Sequence, residues 1–113
     1  MSRMLEGKRI LVTQAGDFMG PALCDALTAQ GAIVVASEPA LAARDAASEV
    51  VAAAGPVDVL VANLAIAAPT TPAVDVGDDE WRSAFAALVD PLPPLVRAVV
   101  PGMLPRGGAW AIR

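Results

Sequence analysis

Three short apolar runs, Ile10-Leu11-Val12, Ala32-Ile33-Val34-Val35-Ala36 and Val57-Asp58-Val59-Leu60-Val61-Ala62, alternate with helix-like stretches, and this alternation most constrains the fold. A continuous apolar run of strand length suits a parallel strand covered on both faces. Residues 19–30 read as a helix between the first two runs. Pro21 suits its first turn, Leu23 and Leu27 share a face four residues apart, and Gly31 stops it. Residues 40–54 read as a second helix, opened by Ser37-Glu38-Pro39 and closed by Gly55-Pro56. Strands 8–13, 32–36 and 57–62 separated in this way predict a parallel sheet with right-handed crossovers.

The second half extends the pattern. Asn63 stands at the end of the third strand, and residues 64–77 form a loop at the sheet's C-terminal edge, where open α/β sheets bind ligands. Asp78-Asp79-Glu80 opens a long helix, its acids complementing the helix dipole. Trp81, Phe85 and Leu88 mark the apolar face, and the two aromatic residues read as core or subunit-contact positions. Asp90-Pro91-Leu92-Pro93-Pro94 must interrupt that helix, since interior prolines remove hydrogen bonds and clash with the preceding turn. The helix resumes over 95–103, Arg106-Gly107-Gly108 turns, and residues 109–113 open a fourth strand. The expectation is an α/β fold, one domain over 1–113, with helices on both faces of about four parallel strands.

Composition narrows the partners. The chain is 56% apolar with a mean hydropathy of +0.57, much of it alanine, which favours close helix packing. Runs such as 50–54 and 57–68 are too short or too interrupted to cross a bilayer, so no membrane partner is expected. The first nine residues hold no apolar signal segment, which places the protein in the cytoplasm by default. Net charge is −4 and the eight basic residues are scattered apart from Lys8-Arg9, so nucleic acid is not an expected partner. The lone Cys24, read as a small buried filler, excludes an internal disulfide. With no histidine, imidazole acid-base chemistry is absent and a metal would need carboxylates alone. Asp78-Asp79-Glu80 reads as a solvated helix start, so no metal site is expected.

The turn after the first strand, Thr13-Gln14-Ala15-Gly16-Asp17-Phe18-Met19-Gly20, bears most directly on function. Its setting resembles the N-terminal half of a short-chain dehydrogenase/reductase. The resemblance rests on Lys8-Arg9-Ile10-Leu11-Val12-Thr13, on Val57-Asp58-Val59-Leu60-Val61-Ala62-Asn63 and on Arg97-Ala98-Val99-Val100-Pro101-Gly102-Met103. It implies a Rossmann-like three-layer α/β/α sheet, here truncated. The family's Thr-Gly-x-x-x-Gly-x-Gly loop has Gln14 and Phe18 in place of its first two glycines. Glycine lets the backbone turn sharply and lets pyrophosphate reach the amides at the helix start. A phenylalanine ring would fill that space and Asp17 would repel phosphate. The family's Asn-Asn-Ala-Gly is reduced to Ala62-Asn63-Leu64-Ala65, and its central-helix asparagine aligns with Leu88. The short connection between the second and third strands also omits one βα unit that normally helps to hold the adenine.

This pattern is similar to the halohydrin dehalogenase branch, whose loop Thr-x-x-x-x-Phe-x-Gly is met by Thr13, Phe18 and Gly20. Gly20-Pro21-Ala22 and Phe85-Ala86-Ala87-Leu88 resemble it too. The resemblance implies a lyase that converts haloalcohols to epoxides and releases halide, with no cofactor and a pocket including Thr13, Phe18 and Asn63. Halide, haloalcohol and epoxide are then the partners of the full-length parent, which would be a homo-oligomer. The branch's serine, tyrosine and arginine follow the fourth strand, so this chain carries no catalytic residue and is expected to be inactive by itself. A second reading is an oxidoreductase that binds NAD or NADP through Thr13, Gly20, Asn63 and Glu38, the last standing eighteen residues past Gly20 as a ribose-binding acid. Glu38 also reads simply as a helix-start carboxylate, Asn63 as a partner for loop backbone groups, and Phe18 as an apolar cap beside Met19. A third reading is a non-catalytic fragment acting by association through the unpaired edge of the fourth strand.

Overall fold

The computed structural model describes residues 3–107 and 110–112. Strands β1 (Arg9–Val12), β2 (Ile33–Ala36), β3 (Val59–Val61) and β4 (Trp110–Ile112) form one parallel sheet in the order β2-β1-β3-β4. Helices α1 (Gly20–Ala29), α2 (Ala46–Ala54), α3 (Asp78–Leu88) and α4 (Leu92–Met103) lie between them in the chain. Leu11 sits beside Val35 on one side and Leu60 on the other, so β1 is flanked along both edges. Its Ile10, Leu11 and Val12 are buried completely or nearly so.

Alternation along each strand divides the core into two layers. Leu11 and Leu60 face α2 and α4 and meet Val50, Ala54, Leu95, Val99 and Met103. Ile10, Val12, Val59 and Val61 face the opposite way, toward Leu23 and Leu27 of α1 and Leu5 of the N-terminal segment. Cys24 of α1 packs beside this second layer, half-buried. The Rossmann-like α/β architecture expected from the sequence is present.

Three details differ from the sequence expectation. Helix α2 begins at Ala46, not at residue 40, because Leu41 folds into the core ahead of it and is only 3% exposed. Helix α4 begins at Leu92 rather than at 95: Pro93 and Pro94 fall in its first turn, where the missing N–H groups would have no partner in any case. Trp81 and Phe85 are not core residues of this chain. Helix α3 buries none of its side chains, and the two rings lie exposed with centroids 4.9 Å apart.

The stretch Asp78–Arg106 is long and apolar enough, at a mean hydropathy of 1.4, to cross a bilayer by length and composition. In the fold it is divided by a turn at residues 89–91, and Leu95, Val99 and Met103 are spent on the sheet core.

The N-terminal ends of the central strands are tied by ion pairing. Asp58 accepts the Arg9 backbone N–H at 2.8 Å and the Arg106 guanidinium at 2.8 and 3.1 Å. The Arg9 guanidinium in turn donates to the carbonyls of Ala54 and Pro56 at 2.9 and 3.1 Å, closing the end of α2 onto β1. The Arg106 hydrogen bond first, and the Arg9 N–H second, hold the Asp58 carboxyl at about 2 against an ordinary 3.8. A carboxyl whose folded-state value is lowered stabilises the fold fully above its unfolded value and ceases to do so as pH falls through the folded one. Asp58→Asn is therefore expected to lower the melting temperature at neutral pH. The gap to the wild type should close as pH falls from 3.8 toward about 2, which melts followed by circular dichroism across that window would measure.

Candidate functional site

The sheet's C-terminal edge gathers the loop after β1 and the segment after β3. Thr13 continues β1: its N–H donates to the Val61 carbonyl at 3.2 Å and its Oγ1 donates to the Asn63 carbonyl at 2.8 Å. Asn63 returns the connection through its carboxamide, which donates to the carbonyls of Gln14 and Asp17 at 2.9 and 3.0 Å. Thr13 and Asn63 are both buried, so their polar atoms are spent on this tie.

Gln14 is the residue that sequence reasoning recorded only as a missing glycine. Its side-chain amide pairs with the backbone of Ala65 in both directions. Nε2 donates to the Ala65 carbonyl at 3.0 Å, and Oε1 accepts the Ala65 N–H at 3.2 Å. Nε2 also lies 3.3 Å from the Asp17 carboxylate. The residue is 3% exposed and has φ of +43°. Phe18 is the other non-glycine residue with positive φ among the described residues, at +50°. The two positions that lack the expected glycines thus retain a glycine-type backbone and bear side chains on it. The only advance signal was that a long polar side chain stood where a glycine was expected.

The two side chains go opposite ways. Gln14 turns inward and locks the loop, while the Phe18 ring is 78% exposed, so it does not cap the sheet as an apolar plug. With Met19, Leu23, Val61, Asn63, Leu64 and Leu88 it lines a cavity of about 420 Å³. At the start of α1 the N–H groups of Phe18 and Met19 find no acceptor among the described residues. Aromatic and aliphatic walls beside free amides suit a small, weakly hydrated anion or an apolar substrate.

Gly20 is required for packing. A Cβ there would run into the carbonyl of Ala15, so its lack of a side chain seats α1 against the loop. Thr13, expected in the pocket, is wholly buried behind Asn63 and does not line the Phe18 cavity, and Glu38 does not join Phe18 and Asn63 either. Its carboxylate lies against Gly16, and it lines a separate groove with Val35, Glu49 and Ala53. Two carboxylates, Asp17 and Glu38, therefore flank the loop, and both would repel a phosphate group. Among the described residues no cluster of carboxylates or thiols is arranged to hold a metal.

No protein-family model matches the chain. A curated relative, 2-keto-3-deoxy-L-fuconate dehydrogenase of Xanthomonas campestris pv. campestris, is 37% identical over 123 aligned residues, spanning 91% of this chain and 41% of the relative. Among solved structures, L-sorbose reductase from Gluconobacter frateurii, complexed with NADPH and L-sorbose, superposes with a TM-score of 0.82 at 23% identity, covering 97% of this chain and 53% of that one. A structure described as a dehalogenation enzyme superposes with a TM-score of 0.81 at 24% identity, covering 96% and 53%. The chain thus spans about half the length of the proteins it matches. The structural likenesses establish the shared fold, and the dehydrogenase relative supports the resemblance to the short-chain dehydrogenase/reductase superfamily.

The lock formed by Gln14 can be separated from its backbone cost. Gln14→Ala loses the bonds to Ala65 and keeps a side chain at positive φ, which should cost about 1–3 kcal/mol of stability. Gln14→Gly loses the same bonds but relieves the left-handed backbone, so its loss should be smaller by roughly 1 kcal/mol. Urea unfolding of the two variants beside the wild type measures both differences.

Proposed function

We propose that this chain is the N-terminal half of a short-chain dehydrogenase/reductase-like protein, and that the whole protein is a halohydrin dehalogenase-like lyase working in the cytoplasm. The observation that carries this reading is the loop. Gln14 and Phe18 occupy its glycine-type positions, with Phe18 and Leu88 walling an apolar cavity above Asn63. The reaction would remove a proton from the hydroxyl of a vicinal haloalcohol. The alkoxide oxygen would then attack the neighbouring carbon as the carbon–halogen bond breaks, giving an epoxide and a halide. Thr13 and Asn63 would hold the pocket's shape, since their polar atoms are already committed to the backbone. Phe18 would shield the departing halide from water. The chain has neither tyrosine nor histidine, so the base would come from outside it and the isolated chain would not turn over.

A nicotinamide dinucleotide does not fit these residues well. Side chains stand at Gln14 and Phe18 where open glycine backbone would admit a pyrophosphate, and the carboxylates of Asp17 and Glu38 beside the loop would repel it. One observation favours the second reading, an NAD- or NADP-dependent oxidoreductase: the relative at 37% identity is a dehydrogenase. In either case the bare face of α3, with Trp81 and Phe85, would serve contact between copies in a homo-oligomer, because an uncovered helix of eleven residues is marginal in water. A fragment that acts only by association, through the outer edge of β4, would bind neither ligand.

Ligand binding to the native state raises the melting midpoint by mass action. On the lyase reading, bromide exchanged for acetate at constant ionic strength raises the midpoint, Phe18→Ala abolishes the rise, and NADH leaves it unchanged. A rise with NADH instead supports the oxidoreductase, and no response to either supports association alone.

A further inference from the structure

We infer that Gln14 is the positioning residue of the Phe18 cavity: its neutral carboxamide fixes the gap between the two walls and so the affinity for a ligand, on the reading that this cavity takes one. Gln14 is not itself among the residues that line the cavity. One wall is Phe18 and Met19, carried by the loop and the start of α1. The other is Val61, Asn63 and Leu64, carried by the exit of β3. The ladder between β1 and β3 ends where the Thr13 N–H donates to Val61. The chain then turns, with the Asn63 N–H bonded back to the Val61 carbonyl at 3.0 Å. Beyond that point no backbone bond joins the two walls among the described residues.

Two side chains replace the missing ladder. The Asn63 carboxamide holds Asn63 to the carbonyls of Gln14 and Asp17, which leaves Leu64 free to swing about it. Gln14 supplies the second anchor on the far side of Leu64, through its paired bonds to the Ala65 carbonyl and N–H at 3.0 and 3.2 Å. Leu64 is thereby held through both of its neighbours. A carboxamide carries donor and acceptor side by side, so it meets Ala65 as a facing strand residue would. Glutamate has the same shape and lacks the donor. Gln14 makes this bridge at a φ of +43°, where glycine would relax the turn and lose the bridge. A strained position filled by a side chain able to bridge marks a contact that the site needs.

The surroundings make the neutrality of Gln14 testable. Its Nε2 lies 3.3 Å from the Asp17 carboxylate, and the Glu38 carboxylate lies against Gly16 of the same loop. A carboxylate introduced at position 14 would be opposed by burial, by the Ala65 carbonyl and by Asp17. Once protonated, it would regain both a donor and an acceptor.

The test uses Gln14→Glu and Gln14→Gly in the full chain, followed by amide NMR spectra, with bromide exchanged for acetate at constant ionic strength as the probe. Near pH 7 both variants should displace the Phe18, Met19 and Leu64 signals together. Bromide should bind about tenfold more weakly, as when only about a tenth of the molecules hold the competent arrangement. As pH falls to about 4, the signals and affinity of Gln14→Glu should return to wild-type values with a midpoint above the ordinary glutamate value of about 4.3. Gln14→Gly should show no such return. The wild type over the same range accounts for effects of Asp17 and Glu38, and Asp58, at about 2, keeps its charge throughout. Gln14→Gly, with its backbone relieved, carries the neutral-pH comparison if the buried carboxylate unfolds the chain. Wild-type positions for the Phe18 and Leu64 signals in both variants near pH 7, or a loss that protonation does not reverse, would overturn the inference. A wild type whose spectrum ignores bromide would instead count against the halide reading, and the ligand-free spectra would still decide the role of Gln14.

Discussion

The site depends on the reciprocal tie between the ends of β1 and β3. Thr13 gives its hydroxyl to the Asn63 carbonyl, and Asn63 gives its amide to the carbonyls of Gln14 and Asp17. Buried polar groups carry a desolvation cost unless they are paired, so this exchange fixes one position of the loop relative to the sheet. Gln14 extends the tie to Ala65, and with it the loop's path, the start of α1 and the position of Phe18 are set together. The cavity beside Phe18 is a consequence of that tie more than of the loop's own composition.

The loop also separates two properties that glycine normally supplies together. Glycine gives a backbone freedom to take positive φ, and it gives open space above that backbone. Here Gln14 and Phe18 keep the first and remove the second. The backbone strain is offset at Gln14 by the hydrogen bonds of its amide. At Phe18 no such return is visible, since the ring is largely exposed. Strain that the fold does not repay is characteristic of a position kept for binding, which agrees with the proposed role of that ring.

At the other end of the sheet, Asp58, Arg9 and Arg106 do the corresponding work for stability, joining β1, the end of α2 and the turn after α4. The two ends divide the labour: charged groups near solvent clamp the N-terminal edge, and neutral amides buried from it shape the C-terminal edge. Between them the apolar faces of β1 and β3 need only alternate correctly to serve both helical layers.

Read alone, the sequence determined the strand–helix alternation, the parallel sheet and the ends of α1 and α3, because apolar runs, glycine and proline act over a few residues of chain. Tertiary structure decided three other matters. It turned Gln14 from an absent glycine into a lock on Ala65, fifty-one residues away. It drew Leu41 into the core and so delayed α2. It left the aromatic face of α3 and the outer edge of β2 uncovered. Thr13, Phe18 and Asn63 were legible as residues of the sheet's C-terminal edge from their places along the chain, and Glu38 was legible only as a carboxylate after β2. Which of them share a cavity depends on how distant segments are brought together, and local pattern carries no record of that distance.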